Sequence, residues 1–279
     1  MMSADQITLL DGATEPDSIE ASLGGGTVVA YSDRSPDRET ENEDTVAAIP
    51  YGPEAVVLVV ADGVGGLPGG KRASETAVKI LADSLHVART ETLLLRTAIL
   101  DGIEAANKSV LDIGNGSATT MTVVTIEGLV ARTYQVGDSE AIIVGQRGLI
   151  KSQTMVHSPT GFAVEAGFLD KREALHHEER HLLSNFVGTN DMRIDIGPAV
   201  QLRPRDTVLL ASDGLTDNIQ IDDVIDIMRT GPMAKSMESM IRLAHHRMIN
   251  ESKLQPSKPD DLSIILFRKI YKPGKVMTT

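Results

Sequence analysis

The chain has 279 residues, of which 41% are hydrophobic and 24% charged, a composition that excludes a disulfide-stabilised miniprotein and a wholly disordered chain. Its 27 Lys and Arg against 39 Asp and Glu give a formal net charge of −12, which disfavours nucleic-acid partners and favours cations. Cysteine is absent, which excludes thiol nucleophiles and Cys-ligated zinc, and no apolar run reaches the roughly 20 residues of a membrane span. We therefore expect a cytoplasmic protein without a membrane partner.

In the first part of the chain, the sequence pattern predicts a leader followed by strands and two helices. Residues 1–26 are acidic and rich in small residues, and we expect them to form a flexible N-terminal leader. Residues 27–270 are expected to form one domain, with a C-terminal tail over 271–279. The elements predicted first in this domain are strands over 27–32, 45–49 and 55–61 and helices over 73–85 and 91–113.

The second part of the chain predicts a meander, a flap and a final mixed segment. Residues 118–146 alternate between apolar and polar positions and are interrupted by evenly spaced turns, which indicates antiparallel strands. Residues 152–187 are interpreted as a flap over the sheets, with a helix over 171–183. The last predicted elements are strands over 199–202, 207–211 and 262–268 and helices over 221–229 and 232–250. Strand groups that alternate with helix pairs predict an α+β fold.

Two local motifs are similar to known sites but lack what the chemistry requires. The glycine-rich turn over residues 65–72 follows a strand and precedes a helix, but Arg72 stands where a phosphate-binding loop needs Ser or Thr. His177 and His181 have the spacing of a zinc-protease helix, yet charged residues fill the positions between them. We therefore expect a tight turn and a solvent-exposed helix face at these two places.

Five short acidic motifs remain, and four of them adjoin a predicted strand. They are Asn42-Glu43-Asp44, Asp62-Gly63, Gly137-Asp138-Ser139, Ser212-Asp213-Gly214-Leu215-Thr216-Asp217 and Asp260-Asp261-Leu262-Ser263. Each motif alone also fits a turn or a helix cap. Asp62, Asp213 and Asp260, however, each lie at the end of a predicted buried strand, and we expect them to converge on one sheet edge. Clustered carboxylates need a cation to offset their repulsion. Oxygen ligands without cysteine favour Mg²⁺ or Mn²⁺ over zinc.

In this order the five motifs resemble those of the metal-dependent Ser/Thr protein phosphatases of the type 2C family, in its bacterial form. The resemblance covers about residues 27–269. It implies two stacked antiparallel β-sheets flanked by helix pairs, an α-β-β-α sandwich with a site for two metal ions at one end. It also implies a signalling enzyme that hydrolyses phosphoserine and phosphothreonine in a phosphoprotein substrate, opposite a Ser/Thr kinase.

The resemblance also implies roles for individual residues. By position, Asp62 bridges two Mn²⁺ or Mg²⁺ ions, which makes it a catalytic residue, and Gly63 offers its backbone carbonyl. Asp213 and Asp260 complete the site of the second ion, and Asp44 acts at the first. The implied reaction is in-line attack on phosphorus by a water that the two ions activate.

A third, weaker metal ion and a phosphate clamp complete the implied site. In many bacterial members the residues at the positions of Asp138 and Asp217 face this third ion. Arg38 is the implied clamp, because a guanidinium can bind phosphate through two hydrogen bonds. Arg38 lies one residue farther from the Asn42 motif than in typical bacterial relatives, so Arg34 remains an alternative.

Two further departures from the family pattern concern substrate handling. Glu140 stands where the family usually has Arg, and Val156 stands where an Asp is common. They keep open an alternative function, a catalytically weak or silent phosphatase-like scaffold that binds a phosphoprotein partner. A hydrolase of small phosphorylated molecules is a third reading. The complete set of metal-ligating aspartates favours the enzyme over the scaffold.

Overall fold

Two antiparallel β-sheets form the centre of the protein in the computed structural model, which describes residues 8–10, 16–37, 39–64, 69–174, 177, 179, 182–250 and 255–270. The first sheet has the order β1-β4-β5-β6-β7-β10, and β11 also pairs with β7. Its strands are β1 (Thr8–Leu10), β4 (Thr45–Gly52), β5 (Ala55–Ala61), β6 (Met121–Glu127), β7 (Val130–Val136), β10 (Asp195–Ile196) and β11 (Val200–Gln201).

The second sheet has the order β2-β3-β13-β12-β8-β9. Its strands are β2 (Asp17–Leu23), β3 (Gly26–Asp33), β13 (Leu262–Lys269), β12 (Thr207–Ala211), β8 (Glu140–Val144) and β9 (Ile150–Gln153). The named strand pairs of both sheets are antiparallel, which confirms the sheet arrangement that the resemblance implies.

Helices cover the outer face of each sheet. α1 (Gly70–Thr90) and α2 (Leu95–Ile113) pack on the first sheet, and α6 (Ile221–Met228) and α7 (Met233–Ile249) pack on the second. Three short helices lie in the connections: α3 (Pro159–Glu165), α4 (Lys171–Ala174) and α5 (Asp213–Thr216). The predicted α+β fold class and the α-β-β-α layers are therefore confirmed. Among the described residues, no helix is long and apolar enough to cross a membrane.

The strand β5 shows why its sequence is continuously apolar. Val56, Leu58 and Val60 lie in the core between the two sheets, whereas Val57 and Val59 lie in the core beneath α1 and α2. Successive side chains of a strand point to opposite faces, so a central strand covered on both faces needs apolar residues at every position. Burial of this strand fixes the position where it ends, at Ala61, and thereby the position of the acidic motif that follows.

The N-terminal segment differs from its prediction. β2 pairs along its whole length with β3, and β1 pairs with β4, so the expectation that the fold begins at residue 27 is wrong for these two segments. In β2 the exposed positions alternate with half-buried ones, among which Ile19 and Leu23 pack against the core between the sheets. An edge strand with one exposed polar face has the same acidic, small-residue composition as a leader, which explains the error.

The flap also differs from its prediction. A helix was expected over residues 171–183, but α4 ends at Ala174, and the described residues 177, 182 and 183 are not helical. Leu182 is 52% exposed, so it does not supply the buried apolar contact that stabilises a helix in a protein. The helix α3, which was not predicted, begins with Pro159 after Ser158, whose hydroxyl accepts a hydrogen bond from the Gly161 N–H at 2.9 Å.

Candidate metal centre and active site

The acidic motifs of the two sheets meet at one end of the sandwich. In the first sheet Thr45 pairs with Ala61, which places Asp44, just before β4, beside Asp62, just after β5. In the second sheet Ala211 pairs with Ile264 and with Glu140, so the residues after β12, before β13 and before β8 also lie at a common end. The sequence prediction of a shared location is therefore met by strand ends of both sheets rather than by one sheet edge.

Asp44 is a buried carboxylate without a hydrogen bond. Its side chain is 1% exposed, and neither carboxylate oxygen has a hydrogen-bond partner among the described residues. Its backbone is fixed, because the Asp44 N–H donates to Asn42 Oδ1 at 2.9 Å and Asn42 Nδ2 donates to Ser32 Oγ at 2.8 Å. An ionised carboxylate buried in this way costs free energy, and either a proton or a bound cation would offset that cost.

The surroundings of Asp44 oppose its ionisation. Burial, and next the charge of Asp261, raise the pKa of Asp44 well above its usual value. The nearby hydroxyls of Ser212 and Ser263 lower that pKa in part. Ser212 Oγ accepts the Ser263 N–H at 3.0 Å, which leaves its own O–H free to donate towards Asp44, and Ser263 Oγ bonds to Ser32 Oγ at 2.8 Å. The carboxylate is thus surrounded by polar groups that do not neutralise it.

Asp62 is positioned by the start of β6. Its N–H donates to Thr120 Oγ1 at 2.9 Å, and its carbonyl accepts from Thr119 Oγ1 at 2.8 Å and from the Thr120 N–H at 2.8 Å. These bonds hold the backbone and leave the side chain to face the other aspartates. Burial raises the pKa of Asp62 well above its usual value, and Asp44, Asp213, Asp260 and Asp138 raise it further, in that order.

Gly63 lies where only glycine fits. A Cβ at this position would lie 2.5 Å from the Gly70 carbonyl carbon and 2.8 Å from the Glu43 carbonyl oxygen, both of them backbone atoms. The Gly63 N–H donates to the Glu43 carbonyl at 3.2 Å. The close approach brings the segment before β4, the segment after β5 and the start of α1 together, and this is the physical reason for glycine beside Asp62.

Asp138 lies in the turn between β7 and β8, which buried polar groups hold from two sides. Gln135 Nε2 donates to the Gly137 carbonyl at 3.0 Å, and the Gly137 N–H donates to Nδ1 of His157 at 3.1 Å. Burial raises the pKa of Asp138 to about 8, with Asp213 adding to the rise. The turn therefore presents a third carboxyl group that resists ionisation, after Asp44 and Asp62.

Asp213 begins the short helix α5 directly after β12. Its Oδ1 is buried without a hydrogen-bond partner among the described residues, whereas its Oδ2 contacts Lys258 Nζ at 2.5 Å. Burial raises the pKa of Asp213 to about 6; Lys258 opposes this rise, and Asp260 and Asp217 add to it. Gly214 follows because a Cβ there would lie 1.9 Å from the Asp261 carbonyl oxygen.

Lys258 is a cation inside the cluster that the sequence analysis did not single out. Its Nζ lies 2.5 Å from Asp213 Oδ2, 2.8 Å from Asp260 Oδ2 and 3.2 Å from Asp217 Oδ2. Burial alone would lower the pKa of Lys258, but the three carboxylates raise it well above its usual value. The signal that could have found it is its position two residues before Asp260, between two prolines that restrict the backbone.

Asp261 has a role that the motif did not reveal. Its Oδ1 accepts from the Ser35 N–H at 2.7 Å and its Oδ2 accepts from the Glu43 N–H at 2.7 Å. One carboxylate thereby joins both ends of the loop between β3 and β4 to the start of β13. This loop contains both predicted phosphate clamps. Arg34 is half-buried at the end of β3, and Arg38 lies outside the described residues.

A cleft of about 560 Å³ opens beside the aspartate cluster, between the flap and α6. Asp138, Asp213 and Asp217 lie on its wall nearest the cluster, and its other walls are mostly acidic and apolar. Glu140 and Val156, the two departures from the family pattern, both line it. Glu140 Oε2 accepts a hydrogen bond from Gln153 Nε2 at 2.9 Å, so its charge is anchored there.

The donor set fits a divalent cation. Asp44 and Asp213 supply buried oxygen atoms without hydrogen-bond partners among the described residues, and the Lys258 ammonium group lies among three carboxylates. No group of three or more His, Cys, Asp or Glu in the described part of the chain lies closely enough around one point to hold an ion. The Lys258 ammonium group occupies the space between Asp213, Asp217 and Asp260.

Comparison with known proteins gives a consistent result. The family model described as Protein phosphatase 2C matches residues 35–254. The protein phosphatase PhpP of Streptococcus pneumoniae is 28% identical over 222 residues, which cover 75% of this chain and 87% of that protein. The structure of the Streptococcus agalactiae serine/threonine phosphatase is 25% identical, with a TM-score of 0.74, and the match covers 87% of this chain and 99% of that one.

A further structural match concerns metal. The catalytic domain of the serine/threonine protein phosphatase PstP in complex with two manganese ions has a TM-score of 0.68 at 22% identity. That match covers 86% of this chain and 96% of PstP's chain. Since the family model spans more than half of the sequence and the fold agrees, this chain belongs to the protein phosphatase 2C family of phosphoprotein phosphatases.

Proposed function

We propose that this protein is a phosphoserine and phosphothreonine phosphatase that works with two Mn²⁺ or Mg²⁺ ions held at the end of the sandwich. The observation that carries the proposal is Asp44, a buried carboxylate whose oxygen atoms have no hydrogen bond of good geometry among the described residues and which lies in the same cluster as Asp62 and Asp260. Such a group destabilises the protein when it is ionised, and a bound cation removes this cost. Family membership supplies the reaction class, and the electrostatics supply the reason for metal.

The proposed ligands come from both sheets. Asp62 would bridge the two ions, with Asp44 and the Gly63 carbonyl on one side and Asp213 and Asp260 on the other. Asp138, with Asp217, would face a third and weaker ion. When bound, the ions lower the pKa of a water, orient the phosphate and offset the charge on its oxygens.

The chain's own residues would hold this arrangement before the substrate arrives. The contacts of Thr119 and Thr120 fix the backbone of Asp62, and those of Asn42 fix the backbone of Asp44. Fixed ligands reduce the reorganisation needed in the transition state, which is the main source of electrostatic catalysis. A guanidinium, from Arg38 or Arg34, would hold the phosphate through two hydrogen bonds.

The cleft would hold the peptide that surrounds the phosphorylated residue. Its acidic walls favour a substrate with basic residues near the phosphate, because opposite charges raise the association rate and exclude acidic competitors. We propose that the substrate is a phosphoprotein and that a Ser/Thr kinase acts opposite to this enzyme.

The proposal is tested by measuring turnover and metal binding on the same protein. A phosphothreonine peptide and a small aryl phosphate are incubated with the enzyme in Mn²⁺, in Mg²⁺ and in EDTA, and Mn²⁺ binding is measured by calorimetry. We expect two or more bound ions and metal-dependent release of phosphate from the peptide. Metal binding without turnover of either substrate would favour the silent scaffold. Turnover of the small ester alone would favour a hydrolase of small molecules.

A further inference from the structure

Lys258 reaches into the proposed metal centre from a backbone that the fold holds rigidly. Its N–H donates to Asn218 Oδ1 at 2.9 Å, and its carbonyl accepts from Asn218 Nδ2 at 2.8 Å. Asn218 is fully buried, and its own carbonyl accepts from Nη1 of the buried Arg247 at 2.7 Å. Two hydrogen bonds with one buried amide side chain therefore fix the backbone of Lys258. A lysine on an exposed surface lacks such a constraint.

The ammonium group contacts carboxylates from three places in the fold. Asp213 opens α5, Asp217 follows the same helix, and Asp260 precedes β13, and all three lie within 3.2 Å of Lys258 Nζ. The three carboxylates carry a formal charge of −3, against the single positive charge of the ammonium group that contacts all three. The buried Asp213 Oδ1 still has no partner among the described residues. A site with several carboxylates and one such buried oxygen atom is suited to a divalent ion.

We infer that Lys258 is a built-in cation that holds the position of the divalent ion proposed at Asp213 and Asp260, so that metal binding there is an exchange of one cation for another. This inference rests on the proposed metal centre. An ion at about 2.0–2.6 Å from carboxylate oxygens cannot share that space with an ammonium group. The Lys258 side chain can move out of the site into solvent, because 22% of it is exposed and its four-carbon stem is flexible.

The exchange has two consequences. Without metal, Lys258 offsets part of the repulsion between the carboxylates, so the fold tolerates the loss of its ions. With metal, the ion has to displace a cation that is already paired, which lowers the affinity of that position. A lysine that stayed beside the bound metal would also offset the repulsion between the carboxylates. It would not have to be displaced by the ion, and its displacement would therefore not lower the metal affinity.

The experiment compares Lys258→Gln, Lys258→Arg and a matched control, Lys269→Gln, with the wild type. Lys269 lies at the opposite end of β13, where its Nζ contacts Glu54 Oε2 at 2.6 Å, and its substitution changes the net charge of the chain by the same amount. Calorimetry measures Mn²⁺ binding, and thermal unfolding is followed in EDTA and in saturating Mn²⁺. These two readouts do not require turnover.

We expect Lys258→Gln to bind Mn²⁺ about tenfold more tightly or better, since it removes a positive charge from beside the ion. It should also widen the difference in Tm between the two conditions. Lys258→Arg keeps the charge and should stay close to the wild type, and Lys269→Gln should leave the Mn²⁺ affinity and the Tm difference unchanged.

Unchanged or weaker Mn²⁺ binding in Lys258→Gln, with normal binding by the wild type, would overturn the exchange and leave the metal centre intact. An absence of Mn²⁺ binding by the wild type would overturn both the exchange and the proposed function. The wild-type titration therefore separates the two failures.

Discussion

Substitution of Asp138 by Asn tests whether the fold holds its carboxylates at an electrostatic cost. Without metal, burial raises the pKa of Asp138 from its ordinary value of 3.8 to about 8. A carboxyl group whose pKa is raised by folding destabilises the folded state at every pH above its unfolded pKa. This loss of folding free energy begins near pH 4 and grows until the pH reaches about 8.

The size of the effect follows from the shift. Each pH unit between the unfolded pKa and the working pH contributes about 1.4 kcal/mol, so at pH 7 the upper limit is about 4 kcal/mol. Water in the cleft screens part of the charge, and a buried Asn amide carries a desolvation cost of its own. We therefore expect Asp138→Asn to raise the free energy of unfolding in EDTA by about 2–3 kcal/mol at pH 7, and by little at pH 4.

The assay is urea denaturation in EDTA at both pH values. Glu104→Gln on the exposed face of α2 is the matched control, because it removes the same charge away from the cluster and should change little. An Asp138→Asn protein that is as stable as the wild type at pH 7, or less stable, would refute the reasoning. A gain of equal size at pH 4 would also refute it, since the charge cost is absent there.

Three further substitutions test the positions assigned to other residues. Gly63→Ala should destabilise the protein by about 1–3 kcal/mol or more in urea denaturation and abolish Mn²⁺ binding, because its Cβ would meet backbone on two sides. Arg38→Ala should raise KM about tenfold or more with a smaller effect on kcat, because it removes a charged phosphate contact, and Arg34→Ala is its matched comparison. His157→Ala should cost about 1–3 kcal/mol of stability, because the buried Gly137 N–H loses its acceptor.

Each of these predictions has an outcome that contradicts it. A Gly63→Ala protein that binds Mn²⁺ as the wild type does would mean that the backbone contacts adjust freely. A KM effect confined to Arg34→Ala would assign the clamp to Arg34. Wild-type stability of His157→Ala would mean that water replaces the imidazole at Gly137.

The sequence predicted those parts of the fold that hydrophobic pattern determines. The continuous apolar run of β5 has one physical explanation, a strand buried on both faces, and the structure confirms it. β2 was not predicted because an edge strand with one solvent-exposed face needs few apolar residues. The predicted flap helix is wrong at the described residues 177, 182 and 183, where Leu182 is exposed and gives a helix no buried apolar contact.

The aspartates of the candidate site could be predicted from their motifs, whereas the contacts of Lys258 and Asp261 within the site could not. The aspartates were identified because each adjoins a strand end, and strand ends are fixed by the core. The contacts of Lys258 join its own segment to the segment that holds Asp213 and Asp217, and Asn218, which fixes its backbone, lies 40 residues earlier. The bonds of Asp261 to Ser35 and Glu43 likewise join residues more than 200 positions apart. Such contacts follow from the folded topology and leave no local pattern in the amino-acid sequence.

The central claim is that phosphate release depends on metal ions held by Asp62. The most direct measurement is hydrolysis of a phosphothreonine peptide by the wild type and by Asp62→Asn, each in Mn²⁺ and in EDTA, with Mn²⁺ binding and unfolding followed on the same samples. The account predicts that Asp62→Asn stays folded, loses Mn²⁺ affinity and falls by about 100-fold or more in kcat/KM, to the level of the wild type in EDTA. A folded Asp62→Asn protein with undiminished turnover, or wild-type turnover that persists in EDTA, would contradict it.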